Sequence, residues 1–168
     1  MPQVAYLSLG SNVGERELHL HDAIARLQVA GNVVSVSSIY ETEPIEFTEQ
    51  PWFLNCAVSL ETTQSPLLLM EAALEIERAM GRLRGQNQDQ NKSQNKGPRT
   101  IDIDLLLCGD MIVNSPALTI PHPAMHHRRF VLAPLAEIAP DLVHPLLKKT
   151  IRKLLEELPA GQIVRRKI

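Results

Sequence analysis

Asp102 and Asp104, set one residue apart, are the residues whose types and spacing most directly suggest chemistry. They stand in the run Gly97-Pro98-Arg99-Thr100-Ile101-Asp102-Ile103-Asp104-Leu105-Leu106-Leu107, where Ile101, Ile103, Leu105 and Leu107 recur at every second position. That period predicts a strand with one face in a core, and it turns both carboxylates onto the opposite face. Their Cα atoms are then roughly 6.5 Å apart, so both can reach one metal ion or a close pair. Carboxylate oxygen is the ligand type magnesium prefers, alongside water and substrate phosphates. Two acids on one face repel each other and lose hydration, which a cation offsets. The same pattern fits a solvated strand end whose charges discourage edge-to-edge pairing. Arg99 favours the metal reading, because its fork of donors suits phosphate oxygens. Pro98 stiffens the entry and cannot donate to a ladder.

A second group lies on the run Phe53-Leu54-Asn55-Cys56-Ala57-Val58-Ser59-Leu60. Leu54, Cys56, Val58 and Leu60 make a core face, which puts Phe53 and Asn55 together on the other. A ring beside an amide suits a flat heterocycle, one stacking and the other bonding to its edge. A strand end packed under a loop accounts for the same residues. Arg82 and Arg84 precede an amide-rich segment, Gly85 to Lys96, that holds no apolar residue and cannot join a core. Flanked by three arginines, it reads either as a lid over phosphates or as a surface insertion. His122, His126 and His127 invite zinc, but the segment is irregular and adjacent histidines point apart, so Arg128 and Arg129 make phosphate contact the better reading.

Around these residues the chain supplies ordinary scaffolding. Val4 to Leu9 is a strand ending at Gly10, with Ser11 and Asn12 as candidate caps of a helix whose stripe is Leu20, Ile24 and Leu27. The turn between them could bind an anion or be a plain connection. Val33 to Tyr40 reads as a second strand, and Thr42 to Pro51 as a loop. Ser65-Pro66 starts a helix buried through Leu69, Ala73, Ile76 and Met80, with Gly81 as its stop. Glu77 sits one position off that stripe, either solvated or at a site edge. A final helix is expected from about Leu146 to Leu158.

The 168 residues suit one domain, 1–168. Hydrophobic residues make up 44% and charged residues 21%, as in soluble globular proteins, and the formal net charge of −2 argues against a nucleic-acid or membrane coat. Cys56 and Cys108 lie in apolar runs, so reduced thiols are expected. No leader pattern and no run of 18 apolar residues is seen, which makes a cytoplasmic protein the expectation.

Taken together, Leu9-Gly10-Ser11-Asn12, Tyr40-Glu41-Thr42-Glu43-Pro44, Gln50-Pro51-Trp52-Phe53-Leu54-Asn55, Gly97 to Asp104, Pro121-His122 and Arg128-Arg129-Phe130-Val131-Leu132 resemble the 6-hydroxymethyl-7,8-dihydropterin pyrophosphokinases of the folate pathway. The resemblance runs from about Val4 to His144. It implies an α+β fold, a ferredoxin-like antiparallel sheet with helices packed on both sides. It also implies transfer of diphosphate from magnesium ATP to the pterin hydroxymethyl oxygen. On this resemblance Asp102 and Asp104 hold two Mg2+ ions, and Phe53 and Phe130 sandwich the pterin. Thr42, Pro44, Ile45 and Asn55 line its edge, Ile45 through its backbone. Arg82 and Arg99 assist transfer, while Glu77, Arg84, His122 and Arg128 contact ATP. A monomer with ATP and the pterin as its small-molecule substrates is expected.

The chain lacks a Gly-x-x-x-x-Gly-Lys-Ser/Thr loop and a protein-kinase catalytic loop, so arginines and metal are left to hold the phosphates. It departs from the family pattern at Phe53, often tyrosine, at Lys96, which can be tryptophan, and at Pro123, which can be tyrosine. The longer amide-rich segment implies slower closure, since ordering it costs more entropy. A small nucleotidyltransferase and a non-catalytic pterin- or nucleotide-binding module are the alternatives.

Overall fold

The computed structural model describes residues 2–44, 51–81 and 100–167. Ile45, Arg82, Arg84, Arg99 and the amide-rich segment lie outside the described residues, as does Lys96. The elements run β1 (Gln3–Ser11), α1 (Arg16–Leu27), β2 (Asn32–Val36), β3 (Tyr40–Thr42), β4 (Phe53–Thr62), α2 (Pro66–Ala79), β5 (Asp102–Cys108), β6 (Val113–Asn114), β7 (Thr119–Ile120), α3 (Arg129–Ile138), α4 (Ile151–Glu156) and β8 (Val164–Arg166). The main sheet has the order β5-β1-β4-β3-β8, with β2 also on β4, and every pairing in it is antiparallel. Helices cover both faces, the expected arrangement.

Strand alternation divides the core in two. Leu7, Leu9, Leu54, Cys56, Val58, Leu60, Ile103 and Leu105 face α1 and α2, which contribute Leu20, Ala23, Leu27, Leu69, Ala73 and Ile76. This is the back face. The front face buries Ala57, Leu106 and Leu107 under Val131, Leu132 and Leu135 of α3 and Ile151 and Leu154 of α4. Cys56 and Cys108 are buried free thiols. Burial pushes the Cys56 thiol up to about 12 and raises Cys108 as well, so both stay protonated.

Glu137 ties α3 to the sheet. It accepts from the Ser38 N–H at 3.0 Å, the Ser38 hydroxyl at 3.0 Å and the Tyr40 hydroxyl at 2.8 Å, and Arg166 Nη2 lies 3.3 Å away. Burial alone would raise the carboxyl's pKa, but these donors outweigh it and lower it.

Three local expectations need correction. Ser11 and Asn12 do not cap α1. Ser11 is still paired with Leu54, the chain turns at Gly14 (φ 66°), and Glu15 occupies the cap position without a side-chain bond. The expected strand Val33–Tyr40 is two strands, because Ser37 breaks the ladder by bonding to Ala57 through both its backbone N–H (2.9 Å) and its hydroxyl, which accepts at 2.9 Å. The last helix is α4 alone. Residues 145–149 form a turn in which His144 Nδ1 accepts the N–H groups of Leu146 and Leu147 at 3.2 and 3.1 Å. Thr150 then caps α4 through the Lys153 N–H at 3.1 Å. By contrast Ser65 caps α2 as expected, accepting the Leu68 N–H at 3.3 Å.

Candidate active site

The register of three strands builds the site. On β1, Gly10 lies opposite Asn55 of β4 on one side and Asp102 of β5 on the other, while Ser8 lies opposite Ala57 and Asp104. Residues opposite one another share a face, so Asp102, Asp104 and Asn55, with Phe53 two residues before it, all point to the front. There α3 and α4 seal only the end marked by Ala57, Leu106 and Leu107. Among the described residues, the other end carries Gly10, Asn55, Asp102 and Asp104, with Phe53 beside them.

Gly10 lets the two halves approach. A Cβ built there would sit 2.7 Å from Asn55 Nδ2 and 3.6 Å from Phe53 Cδ1. The Thr42 hydroxyl donates to Asn55 Oδ1 at 2.6 Å, which turns the other end of the amide, Nδ2, toward Gly10. Both residues are buried, and Pro44 and Phe53 are half-buried at the mouth. Thr42, Asn55 and Phe53 are thus one unit, locked by the pairing of Thr42 with Phe53 and of Tyr40 with Asn55.

Across the face, Phe130 stands at the first turn of α3, half-buried against the front core. The Arg128 guanidinium lies 5.6 Å from the centre of its ring, and Arg128 Nη1 is 4.0 Å from Asp104 Oδ2. His122 is tethered to β5 by its N–H on the Leu106 carbonyl at 2.9 Å. Its Nδ1 accepts the Ala124 N–H at 3.1 Å, so the neutral ring carries its proton on Nε2. Burial lowers the His122 pKa, nearby Arg128 lowers it further, and the Asp102 carboxylate only partly opposes them. The imidazole is therefore neutral at pH 7 and can donate from Nε2.

Of the two sequence alternatives for Glu77, the solvated one is excluded and the polar contact beside the site is the one that fits. Glu77 is a buried carboxylate on α2 that accepts the Ile103 N–H at 2.7 Å, between the two aspartates. It fixes the start of β5 from behind. His126 and His127 lie in a 3-10 turn with ring centroids 3.8 Å apart, and His126 is 6.1 Å from the His144 ring. Among the described residues no group of three or more His, Cys, Asp or Glu side chains could hold a metal ion. The aspartate pair is the donor set that remains. Two hard carboxylates with no third His, Cys, Asp or Glu grouped with them among the described residues fit magnesium, which completes its octahedron with water and phosphate oxygens.

Sequence reasoning did not single out Gly10 as a contact residue, although it lies in the Leu9-Gly10-Ser11-Asn12 run. It also missed Glu137 and all of β8, since three residues with little alternation give no strand signal.

Paired acids facing an arginine, a neutral histidine and a stacking platform are groups that can handle phosphate beside a flat ring. A Plasmodium falciparum HPPK-DHPS solved with pterin and p-hydroxybenzoate superposes with a TM-score of 0.70 at 17% identity, over 94% of this chain and 42% of that one. The chain belongs to the 7,8-dihydro-6-hydroxymethylpterin-pyrophosphokinase family, whose model matches residues 6–140. Family members are ATP-dependent transferases of folate biosynthesis that move a diphosphate onto the hydroxymethylpterin.

The 2-amino-4-hydroxy-6-hydroxymethyldihydropteridine pyrophosphokinase of Bacillus subtilis is 44% identical over 82% of this chain and 79% of its own. That of Methylorubrum extorquens is 42% identical over 94% and 95%. The folic acid synthesis protein fol1 of Schizosaccharomyces pombe is 41% identical over 96% of this chain, which spans only 21% of that protein.

Proposed function

We propose that this chain transfers the diphosphate of ATP to the hydroxymethyl oxygen of 6-hydroxymethyl-7,8-dihydropterin, giving AMP and the pterin diphosphate. Asp102 and Asp104 facing Arg128 and His122, with Asn55 in the same row across Gly10 and Phe53 beside it on the same face, is the observation that carries it. The hydroxymethyl oxygen attacks the β-phosphorus of ATP, the bond from that phosphorus to the α–β bridging oxygen breaks, and AMP leaves. No side-chain nucleophile is needed, so positioning and charge stabilisation supply the rate.

Phe53 and Phe130 stack on the pterin, and Asn55 and Thr42 bond to its edge beside Pro44 and the backbone of Ile45. Arg128 places its charge against the phosphates. Neutral His122 donates from Nε2 to the same group. Asp102 and Asp104 hold two magnesium ions, which supply charge neutralisation and a more acidic hydroxyl. Glu77 serves the ATP side by holding the β5 backbone. Arg82, Arg84 and Arg99 complete the phosphate contacts. The working form in this reading is a cytoplasmic monomer. No described helix is long and apolar enough to cross a membrane.

AMP formation measured with ATP and magnesium, with and without the hydroxymethylpterin, tests this. The expected result is AMP only when the pterin is present. Pterin-independent release of diphosphate would instead support a nucleotidyltransferase, and binding without turnover would support a non-catalytic module.

A further inference from the structure

The back side of the pterin row carries a group of contacts that the proposed chemistry does not use. Trp52 immediately precedes Phe53, so on an extended chain the two rings point to opposite faces. The Arg165 guanidinium on β8 lies 4.7 Å from the centre of the Trp52 ring, and Arg165 Nε is 3.2 Å from Glu41 Oε1. Glu41 is itself opposite both Leu54 and Arg165, which puts all three on the back face. Arg16 Nη1 donates to the Trp52 carbonyl at 2.6 Å, and the fully buried Asn12 donates from Nδ2 to the Pro51 carbonyl at 3.4 Å. These residues line an open cleft of about 400 Å³ behind the sheet. The same terminal segment also grips the end of β3, where the Ile163 N–H donates to Glu43 Oε1 at 2.7 Å and the Glu43 N–H to the Ile163 carbonyl at 3.1 Å.

We infer that Arg165, by stacking on Trp52, is a positioning residue for the pterin subsite. This rests on the pterin reading of Phe53 and Asn55 given above. β8 is short and lies at the edge of the sheet, yet it reaches both chain segments that carry the pterin contacts, Thr42 through β3 and Phe53 through Trp52. A stacked ring and an edge-bonding amide are sensitive to displacements of about 1 Å. The entry to β4 has few ways to fix itself, because Phe53 opens the strand and Pro51 offers no N–H. Two carbonyls held from α1's side and one indole held from β8 set the rotation of the backbone at residue 52. That rotation decides where the next ring points.

The test measures the dissociation constant of the hydroxymethylpterin by calorimetry, together with kcat and the KM for each substrate. Arg165→Ala is expected to weaken pterin binding about fivefold, in the range of an exposed cation–aromatic contact. KM for ATP and the melting temperature stay near wild type. Trp52→Ala should exceed that loss, and Arg165→Lys, which keeps a cation over the ring, should recover part of it. A lower kcat with unchanged pterin binding, or an equal rise for both substrates, would show a merely structural part for Arg165 and overturn the inference. Unchanged behaviour in Arg165→Ala would do the same while leaving the pterin reading intact. Failure of the wild type to bind the pterin would remove both.

Discussion

The two faces of the sheet use the same strands to opposite ends. Behind, every second residue of β1, β4 and β5 is apolar, and α1 and α2 close over all of them. In front, the intervening residues change character partway along. Ala57, Leu106 and Leu107 are sealed by α3 and α4, while Gly10, Asn55, Asp102 and Asp104 are left facing Arg128 and Phe130. At the open end of the sheet, the fold is thus carried by one parity of each strand and the proposed chemistry by the other. Neighbouring residues on β5 should therefore fail in different ways.

That contrast can be broken with adjacent substitutions. Asp104→Ala is expected to lower pterin-dependent AMP formation by about a thousandfold or more, the scale for removing a group that stabilises charge in the transition state. Its effect on unfolding should stay within about 1 kcal/mol, because it is half-exposed and relieves repulsion with Asp102. Ile103→Ala, one residue away and almost fully buried, should cost about 2–5 kcal/mol of stability through lost burial and a cavity. Its folded fraction should turn over near the wild-type rate. Denaturant unfolding beside steady-state kinetics gives both numbers. Comparable kinetic losses in the two variants would show that the faces are not separable.

A sharper version uses Gly10, where the front face has no side chain at all. The Cβ of Gly10→Ala would press on Asn55 Nδ2 at 2.7 Å, and the amide, fixed by Thr42, has to move. Pterin affinity should fall about tenfold, or 1.4 kcal/mol, with a smaller rise in KM for ATP, read by the same calorimetry. An equal loss for ATP would mean that the row Asn55–Gly10–Asp102 acts as one surface rather than as a pterin side and a phosphate side.

How far the sequence goes follows from the same division. Parity is a local property, so β1, β4 and β5, most of their core residues and the outward-facing acids are legible from alternation. Leu107, expected on the face of Leu105, lies instead in the front core, because the β1–β5 register shifts between Tyr6 and Leu7. Ser65 and Pro66 announce α2 for the same reason, being a local cap. What is not legible depends on distant partners. Glu77 looks misplaced near a helix end until the Ile103 N–H is seen beside it, 26 positions along the chain. Ser11 looks like a cap until its pairing with Leu54 is known. β8 exists because β3 offers an edge, and Arg165 matters because Trp52 lies under it. Long-range complementarity of this kind leaves no period in the chain.

The smallest expected effect concerns a buried polar group that serves structure and not the proposed chemistry. His144 is 3% exposed, and its Nδ1 accepts two backbone N–H groups, those of Leu146 and Leu147. Burial lowers its pKa, and the neighbouring His126 lowers it further. His126 is itself lowered by burial and by His127. The unfolded chain, with ordinary imidazoles near 6.5, takes up protons first as the medium is acidified. Stability is therefore complete above about pH 6.5 and declines as pH falls from there toward the folded values, by at most about 1.4 kcal/mol per pH unit for each proton. His144→Asn keeps an oxygen for the two N–H groups but cannot titrate. It should flatten the stability profile between pH 7 and 5 while leaving stability at pH 8 within about 1 kcal/mol of wild type. Urea unfolding across that range decides the matter, and an unchanged slope would transfer the acid sensitivity to groups on the front face, where His122 is also held neutral by burial and Arg128.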